Sequence, residues 1–350
     1  MAELPVVELR GSSAERGRQH GRALRPQIEQ AIGFYAGLFG RLGLAGADVR
    51  RRAERFVEPT HRLNPLLAAE FEGIADGARC HLHDVYTLSA RYEIAYTEVA
   101  LGECSNVFVG SERSTTDATL LGQNWDWRPE VAAFVVILRS RCDDGPDHVV
   151  ISECGQPGKF GLNSAGLGLV AAGLDCTARH ASGEQLYVGL KRTVLQCESI
   201  EEARAILTRN PPLATVNVIA AGPSGAGCEI EYTPAGPIVR DLAPAELYWH
   251  TNHCREADEP SAFANSKRRG RRWSALTAGV GACDVSPRTL ESWLADREGD
   301  DSICQTPRPG DERITTLETL SSLVLDLRAR TLWATAGPSH QAPYRPYRLP

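Results

Sequence analysis

A chain of 350 residues, 42% hydrophobic by composition, can fill one large domain or two small ones. Its formal net charge of −6, with both signs dispersed, disfavours nucleic acid as a partner, and no apolar run reaches membrane-spanning length. The ten cysteines include no Cys-x-x-Cys pair, so reduced, buried thiols fit better than a disulfide framework or a zinc site.

The first residues carry acids and no apolar core, which is not a signal peptide and points to a cytoplasmic chain. Residues 5–9 read as a short strand closed by Gly11. A long helix over residues 14–38 follows, with Ile28, Ile32, Tyr35 and Leu38 on one face and Pro26 expected to kink or interrupt it. Further helices are predicted over residues 48–55, 65–78 and 83–97. His20, His81 and His83 read as surface or capping histidines.

The chemistry concentrates after this helical part. Residues 105–109, directly after Cys104, form a short apolar strand; residues 110–117 are a polar turn. Residues 118–127 form a second strand ending Gly-Gln-Asn-Trp-Asp-Trp. Paired antiparallel, the strands bring Cys104 at one open end level with Asn124, Trp125 and Asp126 at the other. The plain alternative is a surface hairpin with a small buried cysteine. Strands at residues 133–140 and 148–154 lead to the glycine-dense stretch 155–173, read as tight turns and close strand packing. Helices at 185–195 and 200–209 precede strands at 215–221, 228–233, 237–242 and 247–251. The last strand ends in His250-Thr251-Asn252-His253, a polar strand end of the kind that carries function or simple turn chemistry. Helices at 261–277 and 287–297 and strands at 317–326 and 331–336 complete the chain. The basic run from Lys267 to Arg272 reads as a solvated helix face.

The Cys-Ser-Asn and Gly-Gln-Asn-Trp-Asp-Trp segments resemble the acyl-CoA:6-aminopenicillanic acid acyltransferase family (peptidase family C45). More distantly they are similar to penicillin V acylases and bile-salt hydrolases, which are N-terminal-nucleophile (Ntn) hydrolases. Arg-Gly-Arg-Gln-His-Gly at 16–21, Gly-Leu-Asn-Ser-x-Gly-Leu at 161–167, Thr-Asn-His at 251–253 and the terminal Ala-Gly-Pro extend the resemblance over nearly the whole chain. It implies an α+β fold, a four-layer αββα Ntn sandwich with a helical N-terminal segment. It also implies self-cleavage between Glu103 and Cys104, into a helical segment 1–103 and a catalytic segment 104–350.

By the same resemblance Cys104 is the nucleophile, its freed α-amine the base, and Asp126 the group that orients that amine. Asn252 donates to the oxyanion, and an arginine, Arg313 or alternatively Arg308, assists the nucleophile. No cofactor or metal is implied. The partners implied are a small-molecule N-acyl amide substrate, an acyl-CoA or an amine acceptor, and the chain's own cleaved N-terminal segment. By the resemblance, many relatives carry Gly where Glu103 stands; a strained peptide suits Gly best, and Glu103 sets a negative charge beside the thiol, so slow or absent processing is expected. Two other readings compete: an uncut, non-catalytic small-molecule-binding protein of the same fold, and a thiol hydrolase pairing Cys104 with His250 or His253 without cleavage.

Overall fold

The computed structural model describes residues 3–96, 104–176, 178, 180–257, 260–261, 264–299, 302–307 and 316–350; the expectations placed on Glu103, Arg308 and Arg313 lie outside them. Strand β1 (Val6–Gly11) leads into α1 (Ser13–Ala23), whose start is closed by Ser12 N donating to Glu15 Oε2 at 2.9 Å. Helix α2 (Arg25–Arg41) is separate, and the single helix expected over residues 14–38 breaks at Leu24. Pro26 stands in the first turn of α2, the position where its missing N–H and its ring cost least. Helices α3 (Gly46–Glu54) and α4 (Val57–Leu63) come next, the second unforeseen. Helix α5 (Pro65–Ala78) is capped by Asn64 Oδ1, which accepts from Leu67 N at 3.0 Å, and it ends at Arg79 in the left-handed region, φ 56°. The stretch expected as one helix over 83–97 is two, α6 (Leu82–Ser89) and α7 (Arg91–Tyr96).

Helices α1 and α5 pack through glycines. A Cβ on Gly17 would run into the Glu70 carbonyl oxygen, and one on Gly73 into that of Ala14. Gly21 and Gly77 repeat the arrangement one turn on. The Arg-Gly-Arg-Gln-His-Gly run is therefore a close-packing device. Its His20 is buried, contrary to the surface role expected, and its Nε2 accepts from Gly155 N at 3.0 Å.

Strands β2 (Ser105–Val109), β3 (Leu120–Trp127), β4 (Val135–Cys142), β5 (His148–Glu153), β6 (Phe160–Asn163) and β7 (Gly168–Gly173) follow. After them come α8 (Tyr187–Val194), α9 (Ile200–Arg209), β8 (Val216–Ala221), β9 (Gly227–Thr233), β10 (Gly236–Leu242) and β11 (Leu247–His250). The chain closes with α10 (Ala264–Thr277), α11 (Pro287–Leu294), β12 (Glu318–Asp326), β13 (Thr331–Ala334) and β14 (Arg345–Arg348).

Two sheets result. One has eight strands in the order β1-β4-β5-β6-β7-β8-β9-β10, antiparallel except for the β1–β4 pair. The other has six antiparallel strands in the order β11-β2-β3-β12-β13-β14. They face each other where β2 and β3 meet β7. Helices α10 and α11 cover the six-stranded sheet, while α8, α9 and the N-terminal helices cover the other side, giving the αββα order. Alternation along β2, β3 and β12 explains why their strands are buried on both faces. Val107, Val109, Leu120 and Val324 meet Trp273, Leu290 and Leu294 of the covering helices. Phe108, Leu121, Leu323 and Leu325 join the core between the sheets. No helix among the described residues is long and apolar enough to cross a membrane.

Candidate active site

The β2–β3 register sets Ser105 opposite Asn124, so Cys104, one residue before β2, comes level with the Trp125–Asp126 end of β3. The Cys104 Sγ lies 3.8 Å from the Asp126 backbone oxygen, and the residue is 7% exposed. Burial pushes the thiol up to about 11, with the Asp126 carboxylate adding to the effect and Lys159 and Arg269 opposing it. At neutral pH the thiol of the uncut chain is therefore protonated. Among the described residues no side-chain base bonds to its sulfur. Across the β3–β12 pairing Thr319 faces Asp126 and donates Oγ1 to its Oδ1 at 2.5 Å.

Arg269 ties Cys104 to Asn252, the expected oxyanion donor. Its Nη1 donates to the Cys104 carbonyl oxygen at 2.8 Å and to Ser105 Oγ at 3.0 Å, and its Nη2 donates to Asn252 Oδ1 at 2.8 Å. Asn252 Nδ2 donates in turn to the Gly173 carbonyl at 2.8 Å, while its backbone N donates to Ser266 Oγ at 2.7 Å. The amide is thus oriented at both ends. Its oxygen is held by the guanidinium, and its nitrogen faces Gly173 with a second N–H to offer.

His250 and Glu231 support this segment from behind. The His250 nitrogens lie 2.6 Å from the Thr251 carbonyl oxygen and 2.8 Å from Glu231 Oε1. His253 Nδ1 lies 2.8 Å from Ser266 Oγ. Neither ring touches Cys104, so the cysteine–histidine pairing has no geometry here. Glu229, Glu231 and His250 do bring ligand-type atoms within 4.8 Å of one another. Glu231, however, already accepts the backbone N–H groups of Arg255, Glu256 and Ala257, and burial beside Glu231 pushes the Glu229 carboxyl well above the usual range. That donor set suits an internal hydrogen-bonded brace rather than a cation.

Cys104 opens on a pocket with about 460 Å³ of empty space, part of it open to solvent. Its walls are aromatic, from Tyr92, Trp125, Trp127, Phe160 and Tyr187. Three cations also line it: Arg91, Lys159 and Lys191. Arg91 pairs with buried Glu153 and lies over the Trp127 ring at 4.4 Å; Lys159 Nζ reaches Glu153 Oε1 at 3.0 Å and lies 3.7 Å from the Trp125 ring centroid. Burial, reinforced by Arg91, lowers Lys159 to about 7. For Glu153 burial works upward, but Arg91 and Lys159 outweigh it and hold the carboxyl at about 2.

The structure therefore brings Cys104 and Asp126 to one pocket, and joins Asn252 to them through Arg269 and the Gly173 carbonyl. Arg269, Arg91, Glu153, Lys159 and Lys191 were not foreseen as site residues. The expected solvated face over Lys267–Arg272 needs correction: Arg269 is fully buried, and Arg272 pairs with Asp296 at 2.7 Å. A signal did exist. Ser266, Arg269, Gly270 and Trp273 form the buried stripe of α10 at helical spacing, and a search for apolar residues passes over an arginine in such a stripe.

The family model described as acyl-coenzyme A:6-aminopenicillanic acid acyl-transferase matches residues 113–341. The "Acyl-coenzyme A:6-aminopenicillanic-acid-acyltransferase 40 kDa form" of Emericella nidulans is 28% identical over 323 residues, covering 89% of this chain and 87% of that protein. Among solved structures, penicillin V acylase from Agrobacterium tumefaciens superposes with a TM-score of 0.41 at 15% identity, over 67% of this chain and 82% of that one. The Caenorhabditis elegans ortholog of N-acylethanolamine-hydrolyzing acid amidase gives 0.45 at 12% identity, over 64% of this chain and 93% of that one. With the family model spanning more than half of its length, the chain belongs to the acyl-coenzyme A:6-aminopenicillanic acid acyl-transferase family.

Proposed function

We propose that this chain is a self-processing cysteine Ntn enzyme, an amidohydrolase or N-acyltransferase that acts on a small-molecule N-acyl amide through a Cys104 thioester. The observation that carries the reading is the setting of Cys104. Its thiol sits at the head of β2 beside an aromatic pocket, with Arg269 and Asn252 organised around it and no side-chain base on its sulfur among the described residues. A thiol pushed up to about 11 needs a base, and cleavage before Cys104 would free one, the α-amine of the same residue. Membership of an acyltransferase family supports the same chemistry.

In processing, Cys104 Sγ attacks the Glu103 carbonyl carbon, and the C–N bond breaks as the nitrogen takes a proton. Water then hydrolyses the thioester to the Glu103 carboxylate and the free thiol. In turnover the α-amine accepts the thiol proton, and the sulfur attacks the substrate amide. Asn252 and nearby backbone N–H groups hold the oxyanion while the α-ammonium protonates the leaving amine. Water or a second amine, with an acyl-CoA as a further acyl source, completes the cycle. Asp126 orients the ammonium, and Arg313, or alternatively Arg308, assists the thiol. The segment 1–103 remains part of the enzyme because Arg91 and Tyr92 form pocket wall. A cytoplasmic setting would keep the cysteines reduced.

One sequence feature favours the second reading, an uncut small-molecule-binding protein: Glu103 precedes Cys104, and a bulky acidic residue suits a strained scissile peptide less well than Gly would. Intact mass under denaturing conditions separates the two. The enzyme reading expects fragments ending at Glu103 and beginning at Cys104, with Cys104→Ala remaining whole. A whole wild-type chain would favour the binding protein, and a cut Cys104→Ala chain would remove self-cleavage.

A further inference from the structure

Cys176 and Cys254 stand 78 residues apart in the chain, yet their sulfurs lie 3.6 Å from each other. Among the described residues no other two cysteine sulfurs touch. Both are buried, Cys254 at 9% exposure and Cys176 at 6%. With Leu174 and Ala257 they form a small apolar cluster of their own, apart from the two larger cores. The backbone holds the two segments together, because Asp175 N donates to the Asn252 carbonyl oxygen at 2.8 Å.

These are also the segments that orient the Asn252 side chain. Cys176 follows Gly173, whose carbonyl accepts Asn252 Nδ2, and Cys254 follows Asn252 itself. Two thiols alone do not hold a metal: among the described residues only Glu229, Glu231 and His250 bring three ligand-type atoms together. Thiols in contact are placed instead to oxidise, the sulfurs closing by about 1.6 Å to a bond of about 2.0 Å.

We propose that Cys176 and Cys254 are a peroxide-sensitive pair, oxidised to a reversible disulfide that staples the Asn252 segment to the end of β7. The Cys254 thiolate, the more exposed of the two, attacks one oxygen of hydrogen peroxide; the O–O bond breaks and the departing hydroxide takes the thiol proton as water. The Cys176 thiolate then attacks the resulting sulfenic sulfur, the S–O bond breaks, and the second hydroxide leaves as water with the Cys176 proton. Two thiols are oxidised and one peroxide is reduced to two waters. In a reducing compartment such a bond is transient, as a redox sensor requires. Its bearing on turnover rests on the reading of Asn252 as the oxyanion donor; the bond itself does not.

Met1 is the only methionine, so peroxide acts chiefly on thiols. Purified protein is treated with equimolar hydrogen peroxide, remaining thiols are blocked with N-ethylmaleimide, and peptides are mapped without reductant. The peptide linking Cys176 to Cys254 is expected as the main disulfide, and it should vanish with dithiothreitol. Amide hydrogen exchange over residues 174–176 and 251–254 should slow about tenfold or more on oxidation and recover on reduction, because the staple opposes local opening. Cys176→Ala should abolish both changes, with Cys254→Ala as a second variant should the first not fold. Both cysteines still open to alkylation after peroxide, linkage of either to a different cysteine, or exchange unaltered by the bond would each overturn the proposal. Failure of the Cys104 reading is visible separately, as a wild-type chain whose intact mass shows no new N-terminus at Cys104.

Discussion

His20 and Asp126 put two buried polar groups to different uses. His20 accepts a backbone N–H, and burial lowers its pKa to about 4 from the ordinary 6.5. The unfolded chain therefore takes up this proton below 6.5 while the folded chain refuses it until about 4, so stability falls with pH across that window. Each unit is worth about 1.4 kcal/mol, so His20 alone should cost about 2 kcal/mol on going from neutral pH to about pH 5. Buried His148, also held well below the usual range, adds a loss of the same sign. Urea denaturation at the two pH values should show a smaller loss in His20→Gln, whose amide oxygen can still accept from Gly155 N. An equal loss would contradict this account.

Asp126→Asn should keep the Thr319 contact and the fold but lose activity about a hundredfold or more, because it no longer balances the α-ammonium. A purely structural Asp126 would instead lower stability and leave turnover per folded molecule unchanged. That Cys104 and Asp126 come together was readable from the β2–β3 hairpin, whereas Asn252 was singled out only by the resemblance. Lys159 and Lys191 were not legible. Nothing local distinguishes a buried lysine from a solvated one until the two sheets and α8 close around it.

Among the elements, β-strands and most helices were readable from alternation and capping residues. Helices α5 and α9 begin where expected, at Pro65 and Ile200, each behind a side-chain cap, Asn64 and Ser199, and a cap fixes a start more sharply than hydrophobic period does. Strand β14 was missed because its Arg-Pro-Tyr-Arg sequence has no apolar alternation; it pairs with β13 alone, at the sheet edge, where Pro346 is tolerated. The α1–α5 contact depends on the absence of side chains, which hydrophobic patterns cannot show. Gly73→Ala should destabilise by about 1–3 kcal/mol, since overpacking against the Ala14 carbonyl exceeds the helix-propensity gain. Gly33→Ala in α2, where a new Cβ meets nothing within 4 Å, should stabilise by about 0.5–1 kcal/mol. Thermal melts that ranked the two variants the other way would reject this reading of the interface.

At the scale of the whole molecule, the segment before Cys104 is built into the body that follows it. Strand β1 pairs with β4, Tyr35 donates to Glu153 at 2.7 Å, Arg91 grips the same carboxylate, and Arg192 meets Glu70 at 3.0 Å in full burial. A cut before Cys104 should therefore leave one species in native gel filtration and two only after denaturation. Dissociation of the fragments in native buffer would contradict that. The central claim, that cleavage gives Cys104 its own base, is tested most directly by thiol reactivity. Processed protein is treated briefly with limiting iodoacetamide near neutral pH, and the labelled peptides are mapped. The account predicts that Cys104 labels far faster than the buried thiols Cys154 and Cys254, and at least as fast as exposed Cys283, because the new amine takes its proton. Cys104 labelling no faster than Cys154, or Cys254 labelling first among the buried thiols, would contradict it.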